Sequence, residues 1–212
     1  MPVASWQAWA VGTLDARPTV QRRERVLLVG MMGAGKSTVA RLLAERLGWE
    51  FVDSDRIVEA RAAMTIADIF SSRGEGAFRE LETEAIRNAC SHDQLILALG
   101  GGAIETASTR DFLASLTDTL IIFLEAPLDT MIARCAENPD GPVRPVLADR
   151  DRLNDRWSRR LPWYRQAHLT VETGELSPDA VAESIMQRLE PGTGNRQRVA
   201  GVSIGSKSGV SA

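Results

Sequence analysis

The stretch GMMGAGKS, residues 30–37, has the residue types and spacing of a phosphate-binding loop. Its glycines let the backbone curl so that successive N–H groups point at one anion, and a helix that follows adds a partial positive charge at its N-terminus. We expect Lys36 to reach the β- and γ-phosphates of a nucleotide and the hydroxyl of Ser37 to bind Mg²⁺. The phosphate-binding residues predicted from the motif are Gly33, Ala34, Gly35, Lys36, Ser37 and Thr38.

The alternative for this stretch is a tight glycine turn that binds nothing. The flanking sequence favours phosphate binding, because the apolar run RVLLV at 25–29 precedes the loop and a helical pattern follows it, as the motif requires. The lysine is also informative, since Lys36 and Lys207 are the only lysines among 25 basic residues. A compact ammonium group on a flexible stem suits a closely wrapped phosphate loop better than a planar guanidinium does.

Several classes of protein are disfavoured by what the sequence lacks. A GTPase switch would carry an N/T-K-x-D motif, which lysines at positions 36 and 207 alone cannot supply. The formal net charge of -3 argues against bulk electrostatic binding of nucleic acid. The two cysteines and two histidines show no metal-ligand spacing.

A pair of carboxylates, Asp53 and Asp55, stands in the segment FVDSD after a second apolar run. In an extended segment, residues i and i+2 point to the same side. Open α/β sheets bind their ligands at the carboxyl ends of the strands, so both carboxylates are candidates for one cleft. On spacing alone, a solvated turn after a strand explains the pair equally well.

Three arginines stand in segments marked by glycine or proline. Arg79 lies in GEGAFRELE, Arg144 follows the turn-rich ENPDGPV, and Arg160 precedes LPWY near the end of a predicted helix. The segment LGGGA, residues 99–103, places three glycines after a strand, where the backbone must approach a neighbour closely or bend sharply. Taken singly, each arginine is typical of a solvated or salt-bridged surface group.

The elements that must position these residues alternate along the chain. Short apolar runs predict strands and amphipathic stretches predict helices, with Thr65, Pro127 and Pro178 at positions typical of helix starts. This alternation indicates an α/β fold with a parallel sheet covered on both faces. The predicted strands are 25–29, 48–53, 95–99, 119–124 and 168–173, and the predicted helices are 37–47, 56–70, 75–91, 106–115, 127–137, 151–166 and 178–189.

The length of 212 residues suits one globular domain, as does a composition that is 44% hydrophobic and 25% charged. We place that domain at 25–190, between an N-terminal extension (1–24) expected to be flexible and a glycine- and serine-rich tail (191–212) expected to be disordered. The longest apolar runs are too short to span a bilayer, and the N-terminus lacks the features of a secretory signal. We therefore expect a cytoplasmic protein with no membrane partner.

Taken in order, the segments GMMGAGKST, FVDSD, GEGAFRELE, LGGGA, VRPVL and RRLPWY resemble the pattern of the shikimate kinases over residues 25–190. The loop alone is shared by very many proteins, whereas the ordered set is highly specific. The resemblance implies a three-layer α/β/α P-loop kinase fold around a mostly five-stranded parallel sheet. It also implies a shikimate-binding segment at about 55–90 and a lid at about 136–152. We expect the chain to act as a monomer.

The reaction that the resemblance implies is transfer of the ATP γ-phosphoryl group, with Mg²⁺, to the 3-hydroxyl of shikimate on the route to aromatic amino acids. In that reaction Ser37 matches the magnesium ligand, and Asp53 matches the carboxylate that supports the ion through water. Asp55 matches the group that hydrogen-bonds the acceptor hydroxyls and accepts the reacting proton. Lys36 matches the loop cation, and Arg144 matches a lid arginine that reaches the ATP phosphates.

Acceptor binding is assigned in the same way. Arg79 and Arg160 match the pair that binds the substrate carboxylate, and Gly101 matches a backbone contact to the substrate. A guanidinium fork suits a carboxylate, and a carboxylate suits hydroxyl groups. The contacts to adenine stay open, with Arg134 as a candidate and no assignment at 173–178.

Two alternatives remain beside this interpretation. The first is another small-molecule kinase of similar fold, such as a gluconate kinase, which the combination of Asp53 and Asp55 with two arginines disfavours. The second is a nucleotide-binding regulator without catalysis, which the intact set of predicted catalytic residues disfavours.

Overall fold

A computed structural model describes residues 24–137 and 150–189. Within these ranges, strands and helices alternate along the chain. The strands are β1 (Arg25–Val29), β2 (Glu50–Asp53), β3 (Leu95–Ala98), β4 (Thr119–Glu125) and β5 (Leu169–Glu172). The helices are α1 (Lys36–Leu47), α2 (Ser54–Ala62), α3 (Ile66–Ala89), α4 (Ala107–Ser115), α5 (Leu128–Ala136), α6 (Arg150–Tyr164) and α7 (Pro178–Leu189), and Ala103–Glu105 forms a short 3₁₀ helix.

The five strands form one parallel sheet in the order β2-β3-β1-β4-β5. The central strand β1 pairs with β3 on one side and with β4 on the other, so that Val26 lies opposite both Ile96 and Leu120. The strand order therefore reverses beside β1, and such a switch point creates a crevice at the carboxyl ends of the strands. This arrangement confirms the predicted α/β class and the five-stranded parallel sheet.

Alternate residues of β1 pack on opposite faces of the sheet. Val26 and Leu28 enter a core shared with α1 and α7, whereas Leu27 and Val29 enter a second core shared with α3, α4 and α6. All four side chains are buried, and burying each one contributes about 1.5–3 kcal/mol. The sheet is thus held between two helical layers, which fixes the edge from which the functional loops emerge.

The region after β2 differs from the single helix predicted at 56–70. Helix α2 ends at Ala62, because Ala63 turns into a left-handed conformation with φ of 50°. A new helix then begins after Thr65, whose hydroxyl accepts a hydrogen bond from the backbone N–H of Asp68 at 3.1 Å. The predicted helix start at Thr65 is confirmed, and the predicted continuity across it is wrong. Helix α3 is also interrupted at Gly74, where φ is 79° and ψ is 172°.

Three predicted features lie outside the described residues. They are the N-terminal extension up to residue 23, the central part of the proposed lid at 138–149 together with Arg144, and the C-terminal tail at 191–212.

Candidate active site

The loop between β1 and α1 packs closely against α5. Gly33 has φ of 76°, a left-handed value that favours glycine. A β-carbon at this position would collide with the carbonyl oxygen of Met131 and would lie 2.9 Å from the sulfur of Cys135. The loop is therefore pressed against α5, and its shape depends on the missing side chain.

Lys36 is the first residue of α1 and reaches back over the loop. Its Nζ donates hydrogen bonds to the carbonyl oxygens of Gly30 at 2.9 Å and Met31 at 3.0 Å. The preceding Gly35 is the N-cap residue and has no side chain to cap the helix. The N–H groups of the first turn and the ammonium group thus provide positive charge at the same end of α1.

A short chain of hydrogen bonds joins this loop to the end of β2. The hydroxyl of Ser37 donates to Oδ2 of Asp53 at 2.8 Å, and Oδ1 of Asp53 accepts from the backbone N–H of Asp55 at 3.1 Å. Asp53 is both the last residue of β2 and the N-cap of α2. One carboxylate therefore fixes the position of Ser37 and the start of the helix that carries Asp55.

A cleft of about 490 Å³ opens beside the loop. Its far wall contains Arg134, Thr173, Leu176 and Pro178. The Arg134 guanidinium donates to the carbonyl oxygens of Thr173 at 2.6 Å and Gly174 at 3.2 Å. The segment at 173–178, which received no assignment from the sequence, thus lines the cleft together with Arg134.

The three glycines after β3 are anchored by side chains from two helices. The N–H of Gly100 donates to the hydroxyl of Ser54 at 2.8 Å, and the hydroxyl of Tyr164 donates to the carbonyl oxygen of Gly101 at 2.5 Å. Arg160 packs on this segment, since a β-carbon on Gly101 would lie 3.5 Å from one of its terminal nitrogens. The triplet is thus a fixed strip of backbone between α2 and α6.

Charged groups approach the other two glycines closely. A β-carbon on Gly100 would lie 2.5 Å from Oδ1 of Asp55 and 2.5 Å from Oε1 of Glu82. A β-carbon on Gly102 would collide with the guanidinium of Arg79. The absence of side chains from this strip is what allows carboxylates and guanidinium groups to converge on it.

Arg79 is held by two carboxylates of its own helix. Its terminal nitrogens donate to Glu82 at 2.7 Å and Glu75 at 3.0 Å. Glu82 is buried, and within the described part of the chain its Oε1 has no hydrogen-bond partner. Burial raises the pKa of Glu82 to about 7 despite the attraction of Arg79, and the nearby charge of Asp55 acts in the same direction as burial.

Arg160 is buried on α6 and shares a carboxylate with Arg79. It donates to Oε2 of Glu105 at 2.7 Å, and the same oxygen lies 3.7 Å from a terminal nitrogen of Arg79. Partial burial acts to raise the pKa of Glu105, but Arg160 and Arg79 outweigh it and hold the pKa below its ordinary value. A single carboxylate therefore already bridges the two arginines that were predicted to bind a substrate carboxylate.

A family model described as shikimate kinase matches residues 32–190. The chain belongs to the shikimate kinase family. A shikimate kinase of Psychrobacter arcticus is 42% identical over 171 residues, which span 80% of this chain and 91% of that relative. A solved shikimate kinase of Acinetobacter baumannii in complex with shikimate matches with a TM-score of 0.72 at 38% identity, over 78% of this chain and 92% of that one. The solved shikimate kinase of Aquifex aeolicus matches with a TM-score of 0.66 at 30% identity, over 78% and 95% of the two chains.

Most of the residues proposed from the resemblance to shikimate kinases lie at one edge of the sheet. Ser37 and Asp53 are joined by a hydrogen bond, and the backbone N–H of Asp55 donates to the same Asp53 carboxylate. Arg79 and Arg160 come from different helices and reach the same carboxylate. Their individual roles stay proposals.

Sequence reasoning assigned no role to two further charged residues. Glu82 had a detectable signal, because it stands three positions after Arg79 on a predicted helix and neighbours at that spacing meet. Glu105 had no detectable signal in the sequence, because its contact with Arg160 joins residues 55 positions apart.

None of the helices in the described ranges is both long enough and apolar enough to cross a membrane.

Proposed function

We infer that this chain is an ATP-dependent shikimate kinase, which transfers the γ-phosphoryl group of ATP to the 3-hydroxyl of shikimate and releases shikimate 3-phosphate and ADP. The observation that carries this inference is the convergence of Arg79 and Arg160 beside Asp55, at the same sheet edge as the phosphate loop. A cyclic polyol with one carboxylate matches this set, because guanidinium groups bind its carboxylate and Asp55 accepts hydrogen bonds from its hydroxyls.

Arg160 is suited to carboxylate binding by its surroundings. Its side chain is only 6% exposed, and its Nε has no hydrogen-bond partner among the described residues. The electrostatic attraction between a guanidinium and an anion is stronger when the guanidinium is buried, because water screens the charges less. We propose that the acceptor carboxylate lies between this guanidinium and that of Arg79.

The donor side is proposed to hold the phosphates of ATP on the loop at 33–38. The ammonium group of Lys36 stays in contact with the γ-phosphoryl group as it moves to the acceptor. The N-terminus of α1 stabilises the negative charge that develops. Arg134 and the segment at 173–178 are proposed to border the base, because they line the same cleft as the loop. Arg144, the proposed lid arginine, completes the cationic set.

The oxygen groups of Ser37 and Asp53 fit a magnesium ion. Mg²⁺ prefers hard oxygen ligands and keeps several waters, and here a hydroxyl and a carboxylate oxygen lie 2.8 Å apart beside the loop. Ser37 is the proposed direct ligand, and Asp53 is proposed to hold the ion through water. When bound, the ion would neutralise charge on the β- and γ-phosphates.

Asp55 is proposed to orient the acceptor hydroxyl and to receive its proton. Its position in the first turn of α2 stabilises the carboxylate through the helix dipole. The loose transition state of phosphoryl transfer needs little help from a base, so orientation is the larger part of this role.

The first test is an assay of ADP release by the purified chain with ATP, Mg²⁺ and either shikimate or gluconate. Turnover with shikimate alone is expected. Turnover with gluconate alone would support the other small-molecule kinase, and ATP binding without turnover on either acceptor would support the regulator.

The second test removes the two arginines one at a time. Arg79→Ala and Arg160→Ala should each raise the KM for shikimate by about 100-fold, while the KM for ATP changes less than about threefold, because charged hydrogen bonds to the carboxylate are lost and the nucleotide cleft is not altered. Arg87→Ala is a matched control, since Arg87 lies on the same helix as Arg79 but stacks on Phe112. An equal loss of ATP affinity in the two variants would contradict the assignment.

A further inference from the structure

Glu105 occupies the position in which a substrate carboxylate is expected to bind. Its Oε2 accepts a hydrogen bond from Arg160 at 2.7 Å and lies 3.7 Å from Arg79. These are the two guanidinium groups assigned to the acceptor, and they come from different helices. An acceptor carboxylate and the Glu105 carboxylate therefore compete for the same donors.

The backbone of Glu105 is held in place, whereas its side chain can rotate. Arg110 donates from one nitrogen to the carbonyl oxygens of Ile104 and Glu105, both at 2.7 Å, which holds the short 3₁₀ helix in place. The Glu105 side chain is 27% exposed, so it can turn toward solvent without opening the core.

A third partner for this carboxylate, Arg159, is largely exposed to solvent. Oε1 of Glu105 is 3.7 Å from a terminal nitrogen of Arg159, whose side chain is 68% exposed. Rotation of the carboxylate away from Arg160 would bring it closer to Arg159. The charge of Glu105 would thus stay paired after it leaves the acceptor site.

We propose that Glu105 is a built-in competitor for the acceptor carboxylate, which the substrate displaces from Arg160 and Arg79 toward Arg159. The proposal rests on the proposed function of those two arginines in shikimate binding. It makes Glu105 a residue that sets acceptor affinity, since each binding event must first exchange one carboxylate for another.

Displacement imposes the same free-energy cost on every anion that enters the site. An acceptor that also places hydroxyl groups on Asp55 gains enough from those contacts to offset the cost. A simple carboxylate, which gains only the two arginines, does not. Glu105 therefore lowers the occupancy of the acceptor site by weakly bound small carboxylates, without contacting the bound substrate.

The variant Glu105→Gln tests this proposal because glutamine keeps the shape and removes the charge. The KM for shikimate should fall about tenfold with kcat nearly unchanged, since one charged hydrogen bond no longer competes. Inhibition by benzoate, competitive with shikimate, should strengthen by a similar factor. Calorimetric titration of shikimate into each protein should show the same change in Kd, and thermal melting should confirm that the variant is folded.

Two further variants separate competition from general electrostatics. Glu75→Gln removes an equal charge from the other exposed partner of Arg79 and should leave the KM within about twofold. Arg159→Gln should raise the KM two- to threefold in the wild-type background and leave it unchanged in the Glu105→Gln background, because Arg159 acts only through the displaced carboxylate.

The outcomes distinguish this proposal from the proposed function. If the wild type turns over shikimate but Glu105→Gln has an unchanged or raised KM, Glu105 is not a competitor and the proposal is rejected alone. An equal fall in KM for Glu75→Gln would also reject it. Absence of any shikimate-dependent ADP release from the wild type would reject the proposed function, and this proposal with it.

Discussion

The candidate site has two halves, a proposed donor half around the phosphate loop and a proposed acceptor half around Arg79 and Arg160. They are formed by different kinds of chemical groups. In the proposed donor half, the phosphate site is mostly backbone from one continuous segment, the loop at 30–37 and the N-terminus of α1, and side chains such as Asp53 and Arg134 border it from elsewhere. The acceptor half is mostly charged side chains, which come from α2, α3, α6 and the 3₁₀ helix. Backbone N–H groups bind phosphate whatever molecule carries it, whereas a set of side chains in fixed positions selects one acceptor. Under the proposed function, this difference separates a general phosphate-binding site from an acceptor site that selects its substrate.

The two halves also hold their charges differently. On the donor side, Lys36 donates to uncharged carbonyl oxygens. On the acceptor side, the arginines are paired with carboxylates, namely Glu75, Glu82 and Glu105. Buried charges need such partners, because an unpaired ion in the interior is strongly destabilising. The two arginines proposed to bind the acceptor carboxylate are thus embedded in a network of internal counter-charges.

The largest effect is expected from exchanging the loop cation. Lys36→Arg keeps the charge but puts a planar, bulkier group into a loop that is pressed against α5. We expect kcat to fall by about 100- to 1,000-fold, comparable to loss of a group that stabilises transition-state charge. Steady-state kinetics at saturating shikimate and ATP measures this change.

A matched control for this exchange lies on the same helix. Arg46→Lys, near the exposed end of α1, should leave kcat within about twofold. If Lys36→Arg retained wild-type kcat, the donor half would depend on charge alone, and the geometric contrast with the acceptor half would fail.

In the acceptor half, the buried Glu82 should make the free energy of unfolding depend on pH. Burial raises the pKa of Glu82 from 4.5 to about 7, so between these values the folded chain holds a proton that the unfolded chain has released. The free energy of unfolding therefore declines as pH rises through this window and levels off above it. Glu82→Gln cannot lose this proton, so its stability relative to the wild type should increase by up to about 3 kcal/mol from pH 4.5 to 8.

Chemical denaturation of both proteins at several pH values between 4.5 and 8 measures this difference. Titrating groups that do not interact with Glu82 contribute equally to the two proteins and cancel. Parallel stability curves would mean that Glu82 is ionised throughout, and that Arg79 compensates fully for its burial.

A smaller and more local effect is expected at the glycine strip. Gly102→Ala places a methyl group against the Arg79 guanidinium, which must move away from the acceptor. The KM for shikimate should rise about tenfold while the KM for ATP stays within about twofold, because only the acceptor half is disturbed.

Gly76→Ala provides the control, since no atom lies within 4 Å of the added carbon. It should leave both KM values unchanged and stabilise α3 by up to about 1 kcal/mol. A parallel rise in both KM values for Gly102→Ala would show that the strip supports the two halves together.

Sequence patterns predicted the strand, loop and helix at the start of the domain well, because these elements are local in the sequence. The loop motif, the strand before it and the helix after it are all contained in residues 25–47, where short-range spacing is informative. The sheet was predictable for a related reason, because buried parallel strands appear as short apolar runs. The break between α2 and α3 was missed, since the helical pattern continues across it and only the capping by Thr65 marks the boundary.

The acceptor half was only partly predictable from the residues themselves. The spacing of Asp53 and Asp55 was explained equally well by a solvated turn. Roles could be proposed for the arginines only from the ordered set of motifs. Glu105 was missed altogether, because its partner Arg160 is 55 positions away in the chain. Contacts between distant segments depend on the packing of α6 against the sheet, and no local pattern encodes that packing.

The turn from β2 into α2 places two carboxylates a single residue apart, one facing Ser37 and the other facing the glycine strip. A helix rotates by about 100° per residue, so inserting one residue after Asp53 would swing Asp55 away from the acceptor while Asp53 stayed in place. Small changes in chain length at this turn would therefore change the position of one carboxylate relative to the other. The relative placement of the Ser37 contact and the carboxylate beside the glycines is thus set by the number of residues in this turn.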